Sequence, residues 1–471
     1  MAESHPSSAS ASTPRADELR EAVSAGLPTA IAELSGLVRI PSVSWDGFDF
    51  AHVHASAERV AELARGLGVF EQVDVVQLPV SEPGSDALGQ PAVVATRAAR
   101  DGKPTILLYA HHDVQPPGDE AHWESKPFEP TLRGDRLYGR GAADDKAGVV
   151  AHLAAIRAYQ QVLGDPEIGL VLYVEGEEEF GSRSISTFLE HYRDTFAADV
   201  IVVADSGNWS TEVPAITVGL RGAVAFNLRV TTLAHASHSG MFGGAVPDAM
   251  FAAIRMLDSL WNADGSVAVA GLTSREAETP AYDEAQLRAE TGLLPDASPI
   301  GHGEIISRIW NQPAVTITGI DAPSVKDASN TLVPSVRVRV SARVAPGQRA
   351  EEAYEAIIGH LRAHAPFGAQ LEVDGLDLGQ PFLVDTSGWA VADAKAVLAE
   401  AFGNETVEMG VGGSIPFIAE LAERFPAAQI LVTGVEDPDS RAHSPNESLH
   451  VPSLEKAILG EALLLARLAS R

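Results

Sequence analysis

A chain of 471 residues, 45% hydrophobic and 21% charged, holds enough apolar material for two or more packed domains, yet no run near the roughly 20 apolar residues a bilayer span needs. Its 34 Lys and Arg against 64 Asp and Glu leave a formal charge of −30, which excludes nucleic acid and anionic membrane as partners, because both require a basic face. There is no cysteine, so disulfides, thiolate nucleophiles and Cys-held zinc are excluded and any metal must be bound by His, Asp and Glu.

Residues 1–15 lack the apolar stretch of a signal peptide and read as a disordered tail, from which a cytoplasmic location is expected. Apolar residues at three-to-four spacing predict helices over 16–38 and 53–67, with a break at Pro41. Val73–Leu78 and Ala92–Thr96 predict strands. The run Thr105–Ala110 leads straight into His111-His112-Asp113. A glycine-punctuated loop, Tyr138–Gly148, carries Asp144 and feeds an amphipathic helix over Lys146–Val162. Leu170–Val174 ends at Glu175-Gly-Glu-Glu-Glu179, and Val200–Ala204 ends at Asp205. This alternation predicts an α/β domain with a mixed, mostly parallel sheet flanked by helices, in which ligands collect at the carboxyl ends of the strands.

The pattern then changes. Ala223–Thr231 and Val336–Val344 alternate apolar with polar residues, as antiparallel strands wet on one face do. Helices are predicted over Pro247–Trp261 and Gln348–His364, with a strand near Gln370–Val373. Together they predict an inserted α+β (ferredoxin-like) domain. Residues 262–312 have weak periodicity and no assigned element. From about 383 the α/β pattern resumes through Gln429–Thr433, which leads by a short loop to His443, and it closes with a helix over Ser453–Ala469. The expected division is a tail (1–15), a catalytic domain in two parts (16–216 and 383–471) and an insertion (217–382).

Five distant segments therefore aim His111, Asp144, one of the Glu177–Glu179 carboxylates, Asp205 and His443 at one sheet edge. Imidazole and carboxylate together suit zinc, manganese or cobalt, and bridging carboxylates favour a pair of ions. In a strand His111 and Asp113 face one way and His112 the other, so Asp113 is placed to accept the second N–H of a metal-bound His111. Spacing alone leaves Glu177, Glu178 and Glu179 undecided; Glu179 is taken as the ligand and Glu178 as the general base. Gly139–Lys146 lacks the Gly-Lys-Ser/Thr ending of a phosphate loop, and Gly412-Gly-Ser-Ile-Pro416 is not a Gly-x-Ser-x-Gly elbow. Both read as turns where backbone approaches a bound group.

These motifs, from Leu37-Val-Arg-Ile-Pro-Ser-Val-Ser44 to Ala442-His-Ser-Pro-Asn-Glu447, resemble the co-catalytic zinc exopeptidases of the carnosinase, glutamate carboxypeptidase and aminoacylase-1 type, and within them the dipeptidase branch. The resemblance implies that His111 and Asp205 hold one zinc, Glu179 and His443 the other, and that Asp144 bridges them, with a cis peptide after it. It implies Asp113 orienting His111, Glu178 moving the proton, and a lid that makes the protein a homodimer. In that lid His238 would stabilise the oxyanion in the partner's site, Arg343 would bind the terminal carboxylate of a small peptide substrate, and Asn330, Thr331, Gly413 and Ser414 would add contacts. The chain departs from the pattern at His112, where relatives carry an aromatic, at Ala236-Ser237 before the lid histidine, and at Gly410-Val411 before the glycine pair. The expected activity is metal-dependent dipeptide hydrolysis. The alternative within enzymes is an N-acyl or N-carbamoyl amino-acid amidohydrolase. The alternative outside them is an inactive, metal-stabilised binding protein, against which the Glu178-Glu179 pair and Asp113 speak.

Overall fold

The computed structural model describes residues 13–471 apart from 83 and 413–415. The chain divides into two compact units, one of Met1–Thr217, Val384–Glu408 and Glu420–Arg471, the other of Val218–Leu383 and Met409–Ala419.

In the first unit the four apolar runs become four neighbouring parallel strands, in the order Gly169–Glu175, Thr105–His111, Val200–Val203, Gln429–Val432. Every residue of Gly169–Glu175 and Val200–Val203 is buried, which is why these segments read as continuous apolar runs rather than alternating ones. Ala92–Arg97 adds antiparallel to Gly169–Glu175, and Gln72–Val76 adds antiparallel beyond it. On the other side Val432 meets Thr217 of the antiparallel strand Ala215–Leu220. The register sets His111 directly beside Glu175 at the carboxyl edge. Helices Ala16–Val38, Lys146–Leu163, Val451–Ala469 and Trp389–Phe402 pack on one another. At the exit of Gln429–Val432 a Cβ on Gly434 would lie 1.6 Å from the Ser206 carbonyl oxygen. Only glycine lets this segment pass so close to the end of the Asp205 strand.

The second unit holds a four-stranded antiparallel sheet in the order Ala314–Asp321, Ser335–Val344, Gly222–Thr231, Gln370–Gly379. With helices Ala249–Asp258 and Ala350–Ala363 between strands, the chain order is β-α-β-β-α-β, the ferredoxin-like arrangement. Val224, Phe226, Leu228 and Val230 alternate onto the helix-covered face with Val336, Val338, Val340 and Ala342. The strand Ala314–Asp321 is absent from the sequence reading because it is a sheet edge on which only Val315 is buried. Within 262–312 lie the helices Glu284–Thr291 and Ile305–Trp310; the first buries no residue and so leaves no apolar stripe to read. Among the described residues no helix is long and apolar enough to cross a membrane.

Candidate metal centre

Asp144 is the hub. One of its carboxylate oxygens lies 3.1 Å from His111 Nε2 and the other 2.9 Å from His443 Nε2. His111 Nε2 is also 3.6 Å from Asp205 Oδ1, and His443 Nε2 is 3.3 Å from Glu179 Oε2. Two donor groups result, His111–Asp144–Asp205 and Asp144–Glu179–His443, with the ligating atoms of each within 4.8 Å of one another. Three carboxylates around two imidazoles, with a carboxylate common to both groups, are a donor set for a pair of divalent cations. The five residues arrive from the ends of separate strands and loops, as the apolar runs predict.

The supports explain how each donor is held. His111 Nδ1 lies 3.3 Å from Asp113 Oδ1. The same Asp113 carboxylate accepts the backbone N–H groups of Glu178 and Glu179, each at 3.1 Å, and the Ser44 hydroxyl at 2.7 Å. One carboxylate thus orients the imidazole and the acidic turn together. Gln115 holds both Glu179 oxygens, through its backbone N–H at 3.1 Å and its side-chain amide at 2.7 Å. The Asp144–Asp145 peptide is cis. Asp145 accepts the His111 N–H at 3.1 Å and caps the helix Lys146–Leu163 through the Gly148 N–H at 3.2 Å. Lys146 Nζ, whose pKa burial pushes down to about 7, donates to Leu37 and Ile40 carbonyls at 2.9 and 2.7 Å. The Leu37–Ser44 motif is thereby tied to the loop of Asp144.

Glu447 was not among the residues singled out from sequence. Fully buried, its carboxylate accepts Arg140 Nη1 at 2.6 Å and the N–H groups of Gly141, Ala143 and Asp144 at 3.1, 3.0 and 3.2 Å. Burial raises its pKa, but all four contacts are donors, which is the environment of a carboxylate. Ser448 pairs with Tyr138 in a small antiparallel sheet, so the loops of His443 and Asp144 are fastened together. Glu436 is a second omission. No hydrogen bond or ion pair of its carboxylate is formed with the described residues, and burial followed by the Asp144 and Asp205 charges holds it well above the usual carboxylate range. The signal for both was their place on the His443 loop beyond a buried strand.

Electrostatics follow from this crowding. Burial opposes protonation of His111, yet Asp113, Asp144 and Asp205 raise its pKa well above the usual imidazole value. Burial would raise Asp144, but His111 and His443 hold it low. Glu178, half-buried beside the cluster, is pushed well up by burial and then by Asp205. His112 points to the opposite side of the strand, where its Nε2 lies 2.8 Å from the Pro91 carbonyl oxygen, and burial lowers its pKa to about 4.

The remaining expected site residues lie in the second unit. His238 pairs with Thr331 across a short two-stranded ladder, and the Asn330 carbonyl accepts the Ser239 N–H at 2.9 Å. His238, Asn330 and Thr331 are thus brought together, with His238 exposed and its Nδ1 accepting the Gly240 N–H at 3.0 Å. Arg343 stands on the face of the four-stranded sheet opposite its core. Gly413 and Ser414 lie outside the described residues.

A parallel sheet with a dinuclear donor cluster at its carboxyl edge, joined to a ferredoxin-like unit, defines a metallopeptidase architecture. Residues 107–467 match peptidase family M20/M25/M40, and the chain belongs to that family. It is 34% identical over 401 residues to a cysteinylglycine-S-conjugate dipeptidase of Corynebacterium striatum, covering 83% of this chain and 88% of that one. It is 27% identical to the β-Ala-His dipeptidase of Rattus norvegicus, covering 83% and 82%. The solved structure of the Saccharomyces cerevisiae dipeptidase Dug1p superposes with a TM-score of 0.80 at 22% identity, over 98% of this chain and 100% of that one.

Proposed function

We propose that this protein hydrolyses dipeptides bearing a free C-terminal carboxylate, with Glu178 as general base. The observation that carries it is the Asp144 carboxylate divided between His111 and His443, with Glu178 directly before the donor Glu179. Two divalent ions, zinc by preference for this nitrogen–oxygen donor set, would be held by His111, Asp205, Asp144, Glu179 and His443 and would supply Lewis acidity and an acidified water. Glu178 takes a proton from the attacking water and delivers it to the departing amine. Asp113 keeps the His111 ring and the Glu178–Glu179 turn in register. His238 donates to the carbonyl oxygen as negative charge develops there. Arg343, together with Asn330, Thr331, Gly413 and Ser414, engages the far end of the peptide.

The second unit acts as the lid and as the contact with a second copy of the chain. The exposed, stacked rings of Phe251 and Phe367, 5.6 Å apart, and the exposed Ile254 beside them support a homodimer through this unit. The relatives' substrates make Cys-Gly and β-Ala-His the first peptides to assay, beside Ala-X dipeptides and N-acetyl amino acids, after reconstitution with zinc, manganese or cobalt. Turnover of dipeptides above N-acetyl amino acids supports the reading. Preference for the N-acyl compounds would replace it with an amidohydrolase.

A further inference from the structure

The open face of the four-stranded sheet carries a row of arginines. Arg229 reaches Glu372 at 3.9 Å, Arg337 pairs with Asp374, and Arg339 donates to the Gly375 carbonyl at 2.9 Å. Arg343, in the same row, makes no hydrogen bond or ion pair with the described residues. Arg343 is the ladder partner of Ala223. Arg221 lies two residues earlier, so it shares that face and stands diagonally from Arg343, within reach of long side chains.

Arg221 is only 8% exposed, yet no carboxylate among the described residues pairs with it. Its contacts are two long ones to carbonyls, Nε to Gly412 at 3.3 Å and Nη1 to Gln312 at 3.4 Å. The buried Arg97, by contrast, serves two carbonyls at 2.9 Å each. Nη2 of Arg221 has no described partner, and a Cβ on Gly412 would come within 3.1 Å of it; the glycine leaves that nitrogen open. Burial and then repulsion from Arg343 push the Arg221 pKa down to about 10. A buried guanidinium facing a second one, in a chain of charge −30, is costly unless an anion docks between them.

We propose that Arg221 and Arg343 form a two-guanidinium anion subsite, with Arg221 a specificity-determining residue that binds the substrate's terminal carboxylate alongside Arg343. The inference rests on the dipeptidase reading above. Two planar forks match the two oxygens of a carboxylate, and each charged hydrogen bond is the stronger for being desolvated.

The test compares a dipeptide with its C-terminal amide in the zinc-loaded wild type and in Arg221→Gln, with metal content and melting temperature measured in both. Loss of one charged hydrogen bond predicts a fall of about 10- to 100-fold in kcat/KM for the free acid, carried by KM. The amide is spared, so the preference for the acid collapses. A merely structural role for Arg221 would depress both substrates alike; that result, or an unchanged preference, overturns the proposal. Should Arg221→Gln fail to fold, Arg221→Lys retains the charge without the fork, and equal activity on the acid would overturn it. If the wild type hydrolyses no dipeptide, the dipeptidase reading falls by itself and the subsite is judged by acetate. Acetate raising the melting temperature of the metal-free wild type but not of Arg221→Gln upholds the subsite, whereas an equal rise, or none in the wild type, refutes it.

Discussion

Glu178 and Glu179 are adjacent residues with different work, and the structure separates them by their contacts. Gln115 grips both oxygens of Glu179, whereas the Glu178 carboxylate has no described partner. Glu178→Gln should therefore keep the metal content measured by atomic emission while turnover falls by about 100- to 10,000-fold, the range a general base contributes. Loss of metal in that variant would reassign Glu178 as a ligand. Glu447 acts one step further out. Removing its charge leaves Arg140, itself 1% exposed, buried without an acid, at a cost of about 3–5 kcal/mol. Glu447→Gln should lower both the denaturation midpoint and the bound metal, because the amides of the Asp144 loop lose their anchor. Adding Arg140→Met should restore part of the stability in a denaturant titration but not the metal.

At the scale of elements, the helix Lys146–Leu163 is pinned between the sheet and the helix Val451–Ala469 by one imidazole. His152 has Nε2 2.9 Å from the Tyr109 carbonyl oxygen and Nδ1 2.8 Å from Glu461. Burial opposes its protonation, but Glu461 outweighs burial and raises the pKa above the ordinary 6.5. A raised folded value means that protonation favours the folded state: the stabilisation is full below pH 6.5 and is lost as pH climbs through the folded value. In urea titrations across that window the stability gap between wild type and His152→Gln should be widest at the acid end and narrow toward alkaline pH. A gap that widened with pH would refute the assignment. The same scale shows why some elements were legible and others not. The four parallel strands announce themselves because both faces are buried, while Ala314–Asp321 and Glu284–Thr291 bury almost nothing and carry no periodic signal.

For the whole molecule, the cation pair links folding to metal. Stripping with a chelator should lower the melting temperature by about 5 °C, since each of two ions at a hundred times its Kd adds about 2.7 kcal/mol to the folded state and a chain of 471 residues shifts by about 1 °C per kcal/mol, and adding zinc back should restore it. Calorimetry with and without chelator measures this, and equal melting temperatures would count against tight sites. Composition had already limited the chemistry: with no cysteine, the donors had to be the imidazoles and carboxylates now seen around Asp144. The alternation of strands and helices, the ends of the four apolar runs and the opposite facing of His111 and His112 are local properties of the chain, set by side-chain period and burial, so they could be read without coordinates. The division of the Asp144 oxygens between two imidazoles, the grip of Glu447 on the Asp144 loop and the burial of Arg221 against the Gly412 and Gln312 carbonyls join residues up to hundreds of positions apart. Such contacts depend on how segments meet in space, which no local pattern encodes, and only the tertiary structure decided them.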